Sequence, residues 1–416
     1  MKVLTVTTWD AEGEQFNGYQ IHRYLKKLGE QSHMAVLYKK MDDPDIHRVG
    51  NPLTRQFDRI IVTVLEKITG MRSMLPISGI TLLWRSIFRN ADVVHLQIVH
   101  GVSFFSLLLV PYISHTRRTV WTIHDPWLMS GHCIYSLECE RWKTGCGGCP
   151  DLTLPFPVLW DSTAPAWKIK RWVMSRADVT LVVASHWMQE RVQQSPILSD
   201  LPCRVIPLGL DLEKFRPKDR GECRARFNIP ADAHVLAFRY TGEGDRFKGW
   251  PYIREALNDL DLKKPIYVII IQKKGAAGFL DKRFTCIELG WSEDYETVID
   301  ALNAADIFLM PSVAEAFGMM AVESMACGTP VIVFEGTSLP SVIHAPDGGV
   351  AVAYKDTHAL THAIEDLLGD QERYDTMVQR GLEIVRNEYS VDKYLKSHID
   401  LYNELINSPE QERRDV

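Results

Sequence analysis

At 416 residues the chain has room for two domains of ordinary size. With 46% hydrophobic and 24% charged residues it has a globular α/β composition, which excludes disordered, collagen-like and low-complexity classes. A formal net charge of −6 gives no global basis for binding nucleic acid.

The first pattern met is a strand, Val3 to Thr7, with no charged segment and apolar run of a secretory leader ahead of it. Gly18 to Leu28 then has the periodicity of a helix, and Met34 to Tyr38 reads as a second strand. Arg55 to Arg89 mixes apolar residues with Arg59, Lys67, Arg72, Arg85 and Arg89. Such a stretch suits peripheral contact with an anionic membrane face, or a helix packed on the sheet with a solvated basic side. The most apolar run, Val102 to Ile113, is about a dozen residues long and holds Pro111, too short to span a bilayer. The protein is therefore expected in the cytoplasm, with a peripheral position at the inner membrane face as an option. In that reducing compartment the eight cysteines are thiols or metal ligands before they are disulfides.

Further strands are expected at Val93 to Leu96, Thr119 to Ile123 and Val179 to Val183, and the βαβα order predicts a parallel sheet covered on both faces. His124 follows the strand at Thr119, in the string T-I-H-D-P-W. A histidine there is ordinarily a hydrogen-bonded residue and nothing more. Residues 131–150 form a cysteine-rich loop carrying Cys133, Cys139, Cys146 and Cys149. The spacing C-x5-C-x6-C-x2-C is able to close a tetrahedral thiolate site, and a structural zinc is the reading adopted, with His132 as a substitute ligand. The alternatives are a redox pair, which would normally open a helix rather than sit beside Pro150 and several glycines, or plain buried thiols. Lys168, Lys170 and Arg171 with Trp167 and Trp172 suggest a second basic-aromatic patch.

The string V-I-P-L-G-L-D-L-E-K-F-R-P, Val205 to Pro217, has turn residues at both ends and divides the chain. Residues 1–210 are expected to form the first domain, 211–390 the second, and 391–416 a tail with an amphipathic helix at Val391 to Leu405. The second domain repeats the βα alternation: a strand near Val235, then Ile266 to Ile271, Cys286 to Leu289, Ile307 to Met310 and Pro330 to Phe334. After its first strand comes F-R-Y-T-G-E-G-D-R-F-K-G, Phe238 to Gly249. Arg239 offers a planar fork and Lys248 a point charge, a set suited to a diphosphate, with Arg246 a rival for the first role; taken singly, each reads as a charge on a solvated loop.

The richest stretch is P-S-V-A-E-A-F-G-M-M-A-V-E-S-M-A-C-G-T-P-V, Pro311 to Val331. It follows a buried strand, opens a helix near Phe317 or Gly318, and stops at Gly328 to Pro330. Backbone N–H groups at such a helix start face the crevice where open α/β sheets bind ligands, and they suit a phosphate. Glu315 and Glu323 would span roughly 12 Å along a helix, and their carboxylates suit hydroxyls on either side of that anion. Glu323 lies in an apolar helix, where a carboxylate is costly unless something pairs with it. The residues Glu315, Ala316, Phe317, Gly318 and Glu323 either line a site for a nucleotide sugar, an anion flanked by two polyols, or belong to an ordinary βα unit with a solvated helix face.

This string resembles the E-x7-E signature of the family 4 retaining glycosyltransferases. The resemblance implies the GT-B fold, two Rossmann-like doubly wound domains facing an interdomain cleft. The string at Val205 is similar to that family's interdomain I-P-N-G-x-D motif, with Leu208 where Asn is usual, and the tail resembles the helix that crosses back to the first domain. Arg239 and Lys248 resemble the family's diphosphate clamp, with Phe238 where Gly is frequent. His124 resembles a histidine placed beside the donor sugar. Gly18, in an Asn17-Gly18 pair where Gly-Gly is usual, resembles the glycine that lets the backbone approach the donor. The resemblance implies retaining transfer from a nucleoside diphosphate sugar to a glycan or lipid-linked acceptor, in polysaccharide or glycoconjugate biosynthesis. Glu315 would hold the sugar, Glu323 the ribose, and the leaving diphosphate would take the acceptor's proton. No D-x-D pair stands at a strand end, so no catalytic divalent metal is expected. A GT-B nucleotide-sugar epimerase and a non-catalytic sugar-binding subunit share the architecture. A subset of the family is similar in carrying a cysteine-rich insertion.

Overall fold

The structure is a computed structural model and describes residues 1–11, 16–155, 157–291 and 295–408. Residues 12–15 of the expected N-terminal loop and 409–416 of the tail lie outside the described residues. The chain forms two compact units, Met1–Ile206 with Tyr394–Val416, and Pro207–Lys393.

The first unit is built on strands β1 (Lys2–Trp9), β2 (Gln31–Tyr38), β3 (Ile46–Arg48), β4 (Val93–Leu96), β5 (Arg118–Ile123), β6 (Val179–Val183) and β7 (Cys203–Val205). They pair in parallel in the order β3-β2-β1-β4-β5-β6-β7. The second unit has β8 (His234–Tyr240), β9 (Ile266–Gln272), β10 (Phe284–Gly290), β11 (Ile307–Met310), β12 (Val331–Phe334) and β13 (Val350–Val352). Their order is β10-β9-β8-β11-β12-β13, again parallel. The central strands β4, β11 and β12 are buried along their whole length, which is why they show no polar alternation: β11 and β12 are unbroken apolar runs, and β4 is interrupted by His95 alone. The edge strands β3, β7 and β13 have three residues each, too few to show a period in the sequence.

Six helices carry or flank the residues singled out from sequence: α1 (Tyr19–Lys27), α2 (52–69), α3 (Thr163–Met174), α4 (Trp250–Asp259), α5 (Met319–Ala326) and α6 (Val391–Asn407). α2 is continuous through a short π-helical stretch at Asp58–Val62. In the first unit the tail is anchored by polar contacts. The Tyr402 hydroxyl lies 2.6 Å from His95 Nδ1, Arg118 donates to the Ser408 carbonyl at 3.0 Å, and Arg204 pairs with Glu404 at 2.8 Å. The segment read from sequence as a linker is held down at Leu210, whose N–H donates to Tyr389 O and whose carbonyl accepts from Val391 N, at 2.7 and 2.9 Å.

Each sheet reverses its winding once, between β1 and β4 in the first unit and between β8 and β11 in the second. Connections leave such neighbouring strands in opposite directions, so their carboxyl ends open a crevice. The expected donor-site residues cluster at these two places.

Candidate active site

In the second unit, β8 ends on Arg239 and Tyr240 and runs into the loop 241–249. Asp245 organises that loop: it accepts from the N–H groups of Phe247 and Lys248 at 2.7 and 3.2 Å and from the Thr241 hydroxyl. The loop then docks on the segment after β11, with Val313 N donating to Phe247 O at 2.8 Å. Gly249 closes it at φ +78°, where a Cβ would stand 2.0 Å from the Pro311 carbonyl oxygen. Only glycine allows that approach, and it starts α4.

This docking brings Lys248 Nζ to 2.6 Å from Glu315 Oε2, joining one expected diphosphate ligand to one expected sugar ligand. Arg239 donates through Nε to Gln272 Oε1, on the neighbouring strand β9. Gln272 has φ +86°, a left-handed conformation rare outside glycine, and it turns the end of β9 toward the arginine. Arg246 is exposed on the loop 241–249.

The turn after β11 holds Ala316 and Phe317, both buried, with the Phe317 ring edge-on to Tyr389 at 5.6 Å. Gly318 stands at φ +93°, and a Cβ there would meet Leu339 Cδ2 at 2.3 Å. It is the cap residue of α5, so the helix opens at Met319, beyond the expected start. Almost all of α5 is buried and apolar, and Glu323 is its one ionisable side chain. Burial pushes the Glu323 carboxyl up to about 7, while the charge of Arg239 pulls it down. Arg239, Lys248, Glu315 and Glu323 thus all belong to the carboxyl ends of β8 and β11 and the first turns beyond them.

In the first unit, Gly18 begins α1 at φ +82°, and Asn17 Oδ1 accepts from Tyr19 N at 2.8 Å. A Cβ on Gly18 would lie 2.8 Å from Thr5 Cγ2 on β1 and 3.4 Å from Gln97 just beyond β4. The same Gln97 accepts from His124 Nε2 at 2.7 Å and approaches His95 Nε2 at 3.0 Å through its amide nitrogen. His95 continues to Thr122 Oγ1 at 2.7 Å and to Tyr402. Burial lowers His124 to about 4, so the ring is neutral near pH 7. Asp125, next to it, faces His100 Nε2 at 2.9 Å and caps the turn at Trp127 N. Gln97 was missed in the sequence, where a lone glutamine after a short strand carries no signal; its place at the strand reversal is the only mark it has. Asp245 and Gln272 were missed for the same reason.

The four cysteines Cys133, Cys139, Cys146 and Cys149 are unpaired thiols, each half-buried. With His132 they line one cavity of about 20 Å³. Gly131 N donates to Cys146 Sγ at 3.2 Å, and His132 Nε2 lies 3.4 Å from Cys149 Sγ. Among the described residues no three His, Cys, Asp or Glu side chains are placed to hold a metal ion. Gly145, Gly147 and Gly148 all take positive φ, and no helix begins between Cys146 and Cys149. This fits the loop rather than the helical redox pair. The expected patch around α3 is only partly a surface. Lys168, Arg171 and Trp172 are exposed, but Trp167 is buried and Lys170 is 1% exposed. Lys170 Nζ donates to the carbonyls of Trp127 and Ser130 at 2.6 and 2.9 Å and lies 3.7 Å from the centre of the Trp127 ring. Its amine holds the start of the cysteine loop, and burial lowers it to about 7.

Two family models match the chain. Residues 19–214 match Glycosyltransferase Family 4, and residues 240–383 match Glycosyl transferases group 1. A D-inositol 3-phosphate glycosyltransferase of Catenulispora acidiphila is 32% identical over 47% of this chain and 50% of its own length. The chain thus spans about half the length of the first such relatives it matches. The putative colanic acid biosynthesis glycosyl transferase WcaC of Escherichia coli K12 is 24% identical over 78% of this chain and 79% of its own. Among solved structures, sucrose-phosphate synthase from Thermosynechococcus elongatus superposes with a TM-score of 0.67 at 18% identity, over 98% of this chain and all of the other. Anabaena Alr3699/HepE, solved with UDP-glucose, superposes with a TM-score of 0.65 at 12% identity, over 97% and 100%. These likenesses, with the two parallel sheets, show the two-domain Rossmann-like GT-B fold.

Proposed function

We propose that this chain, which joins a glycosyltransferase family 4 domain to a group 1 glycosyl transferase domain, is a retaining transferase using a nucleoside diphosphate sugar. The observation that carries the reading is the 2.6 Å contact of Lys248 with Glu315 at the strand reversal of the second unit, where the charge of Arg239 also acts on buried Glu323. Cation and carboxylate stand together where a sugar phosphate would present both an anion and hydroxyls. HepE in complex with UDP-glucose supports the donor class by analogy.

In this reading Arg239 and Lys248 bind the diphosphate and stabilise the charge that grows on it as the bond to the sugar breaks. Gln272 sets the direction of the guanidinium, and Gly249 lets Lys248 reach the site. Glu315 accepts hydrogen bonds from the sugar hydroxyls, and Glu323, once ionised, from the ribose. The acceptor oxygen bonds to the anomeric carbon as the carbon–phosphate-oxygen bond breaks, and its proton passes to the leaving diphosphate. In the first unit Gln97 fixes the ring of neutral His124 and packs against Gly18 at the strand reversal. The acceptor is a glycan or a lipid-linked sugar, the process polysaccharide or glycoconjugate synthesis, and the compartment the cytoplasm. No metal is assigned to this chemistry.

The cysteine loop is read as a structural element closed by one zinc. Four thiols and an imidazole around a single cavity, with an N–H group already donating to one sulfur, support it. Closing the site requires those side chains to rearrange, since no three are yet placed for an ion.

A screen of nucleoside diphosphate sugars with oligosaccharide and lipid-linked acceptors tests the function. Acceptor-dependent release of nucleoside diphosphate, with a one-sugar mass gain in the acceptor, is expected. Conversion of the free donor to its epimer would instead identify an epimerase, and donor binding without turnover a sugar-binding subunit.

A further inference from the structure

α2 is amphipathic in the opposite sense to a helix on a soluble protein. Its buried positions are Asp58, Val62 and Glu66, each four residues from the next and so on one helix face. Asp58 accepts from the N–H groups of Ile77 and Ser78 at 3.0 and 2.8 Å. Glu66 accepts from Ser73 N at 2.6 Å and from the Ser103 hydroxyl. These carboxylates pin the helix to the loop 73–78 and to Ser103. The opposite face shows Leu53, Phe57, Ile60, Ile61, Val64 and Ile68, which are 40–79% exposed. A soluble domain would normally turn that face inward.

The surrounding charge is one-sided. Between residues 49 and 91 the only carboxylates are Asp58 and Glu66, both buried, against six cations at 55, 59, 67, 72, 85 and 89. Arg59, Lys67 and Arg89 are exposed. This local excess stands against a chain whose net charge is −6. A cationic apolar face repels a second copy of itself, and it offers no acidic group to a basic partner. It matches a surface that is negative outside and hydrocarbon beneath. At 18 residues in one run, α2 is about 27 Å long, enough to lie along such a surface. No helix of the described residues is long and apolar enough to cross a membrane, so any contact through this helix is peripheral.

We propose that α2 docks the protein on the surface of an anionic lipid bilayer, its apolar stripe entering the headgroup–acyl boundary and its flanking cations lying on the lipid phosphates. The proposal uses none of the donor-site residues and stands or falls apart from the transferase reading.

The test is flotation of the full chain with phosphatidylcholine vesicles, with and without roughly one-third phosphatidylglycerol. Two variants are compared with the wild type: Phe57→Ser/Ile61→Ser/Val64→Ser and Arg59→Glu/Lys67→Glu. All five side chains are exposed, and melting temperature and donor binding serve as folding controls. Binding to anionic vesicles is expected to exceed binding to neutral ones by on the order of tenfold, and to weaken in high salt. The serine variant is expected to lose binding by about tenfold or more at unchanged melting temperature, and the glutamate variant to lose the anionic preference. Equal flotation of wild type and both variants overturns the proposal. So does a wild-type dimer that the serine variant turns into a monomer without any vesicle binding, which assigns the face to a second copy. Retention by a protein partner in lipid-free conditions, with no flotation, overturns it as well.

Discussion

Lys248 Nζ and Glu315 Oε2 stand 2.6 Å apart although 67 residues separate them in the chain. The contact exists because Gly249 brings the loop after β8 against the Pro311 carbonyl after β11. A donor diphosphate must share Lys248 with Glu315, so the two residues should act as a unit. Arg239→Ala and Lys248→Ala are each expected to lower kcat/KM on the order of 10²-fold, as loss of a charge on a developing anion does. Lys248→Ala/Glu315→Gln should cost well below the product of the single effects. Steady-state kinetics of the three single variants and the double variant check this.

The two glutamates are expected to separate kinetically. Glu323→Gln should chiefly weaken donor and free nucleotide binding, because the ribose is remote from the bond that breaks. Glu315→Gln should chiefly lower kcat at nearly unchanged nucleotide affinity. Titration calorimetry with free nucleoside diphosphate, beside turnover rates, distinguishes the roles, and the opposite pattern reverses their assignment.

Glu323 also sets an expected pH dependence. Its carboxyl is held up to about 7 by burial, from an ordinary value of 4.5. Between those values the folded chain binds the extra proton, so this group's contribution to stability falls as pH rises through that window. Ribose hydroxyls favour the ionised carboxylate, so donor affinity should increase as pH rises from about 6 to about 8, approaching tenfold per unit at the acid end. An intact nucleoside diphosphate sugar is the right probe, because its phosphates do not titrate there. Calorimetry should show a proton released on binding, and Glu323→Gln should flatten the profile.

Gly249→Ala tests the loop as a support. Its Cβ would collide with the Pro311 oxygen at 2.0 Å, at a φ of +78° that alanine disfavours. A loss of about 2 kcal/mol or more in stability is expected, with weaker donor binding as the 241–249 loop lifts away. Gly244→Ala is the control, since nothing lies within 4 Å of its Cβ position. Melting curves and donor titrations of both variants decide it.

The parallel sheets were legible because β11 and β12 are buried on both faces and read as apolar runs, as β4 does apart from His95. Arg239 and Lys248 stood out as charges on a glycine-bearing loop after a strand, Glu323 as a carboxylate in an apolar helix, Glu315 as the carboxylate of the turn before it, and all four through the resemblance to the family's motifs. Gln97, Asp245 and Gln272 did not, because their roles arise from contacts that no local sequence pattern marks. Lys170 misled for a related reason. A lysine among tryptophans reads as a surface patch, whereas here two backbone carbonyls and an aromatic face make burial tolerable. α2 showed its mixture of apolar and basic residues in the sequence. Which face it buries depends on Asp58 and Glu66 finding backbone donors in the loop 73–78, and no local pattern reveals that.

The cysteine loop is expected to carry about one zinc per chain when the protein is purified without added metal. Elemental analysis checks it. Cys146→Ser and Cys149→Ser should lose the metal and lower the melting temperature while leaving nucleotide binding to the second unit intact. Four freely titrating thiols with no bound zinc would leave the loop as plain buried cysteines.

The central claim, a nucleoside diphosphate sugar held by the second unit, is tested most directly by equilibrium binding of a panel of such donors to wild type, Arg239→Ala and Glu323→Gln. The expected result is one preferred donor whose affinity falls by about tenfold or more in each variant at unchanged melting temperature. A panel in which no nucleotide sugar binds, or in which the preferred donor binds all three proteins equally, would contradict it.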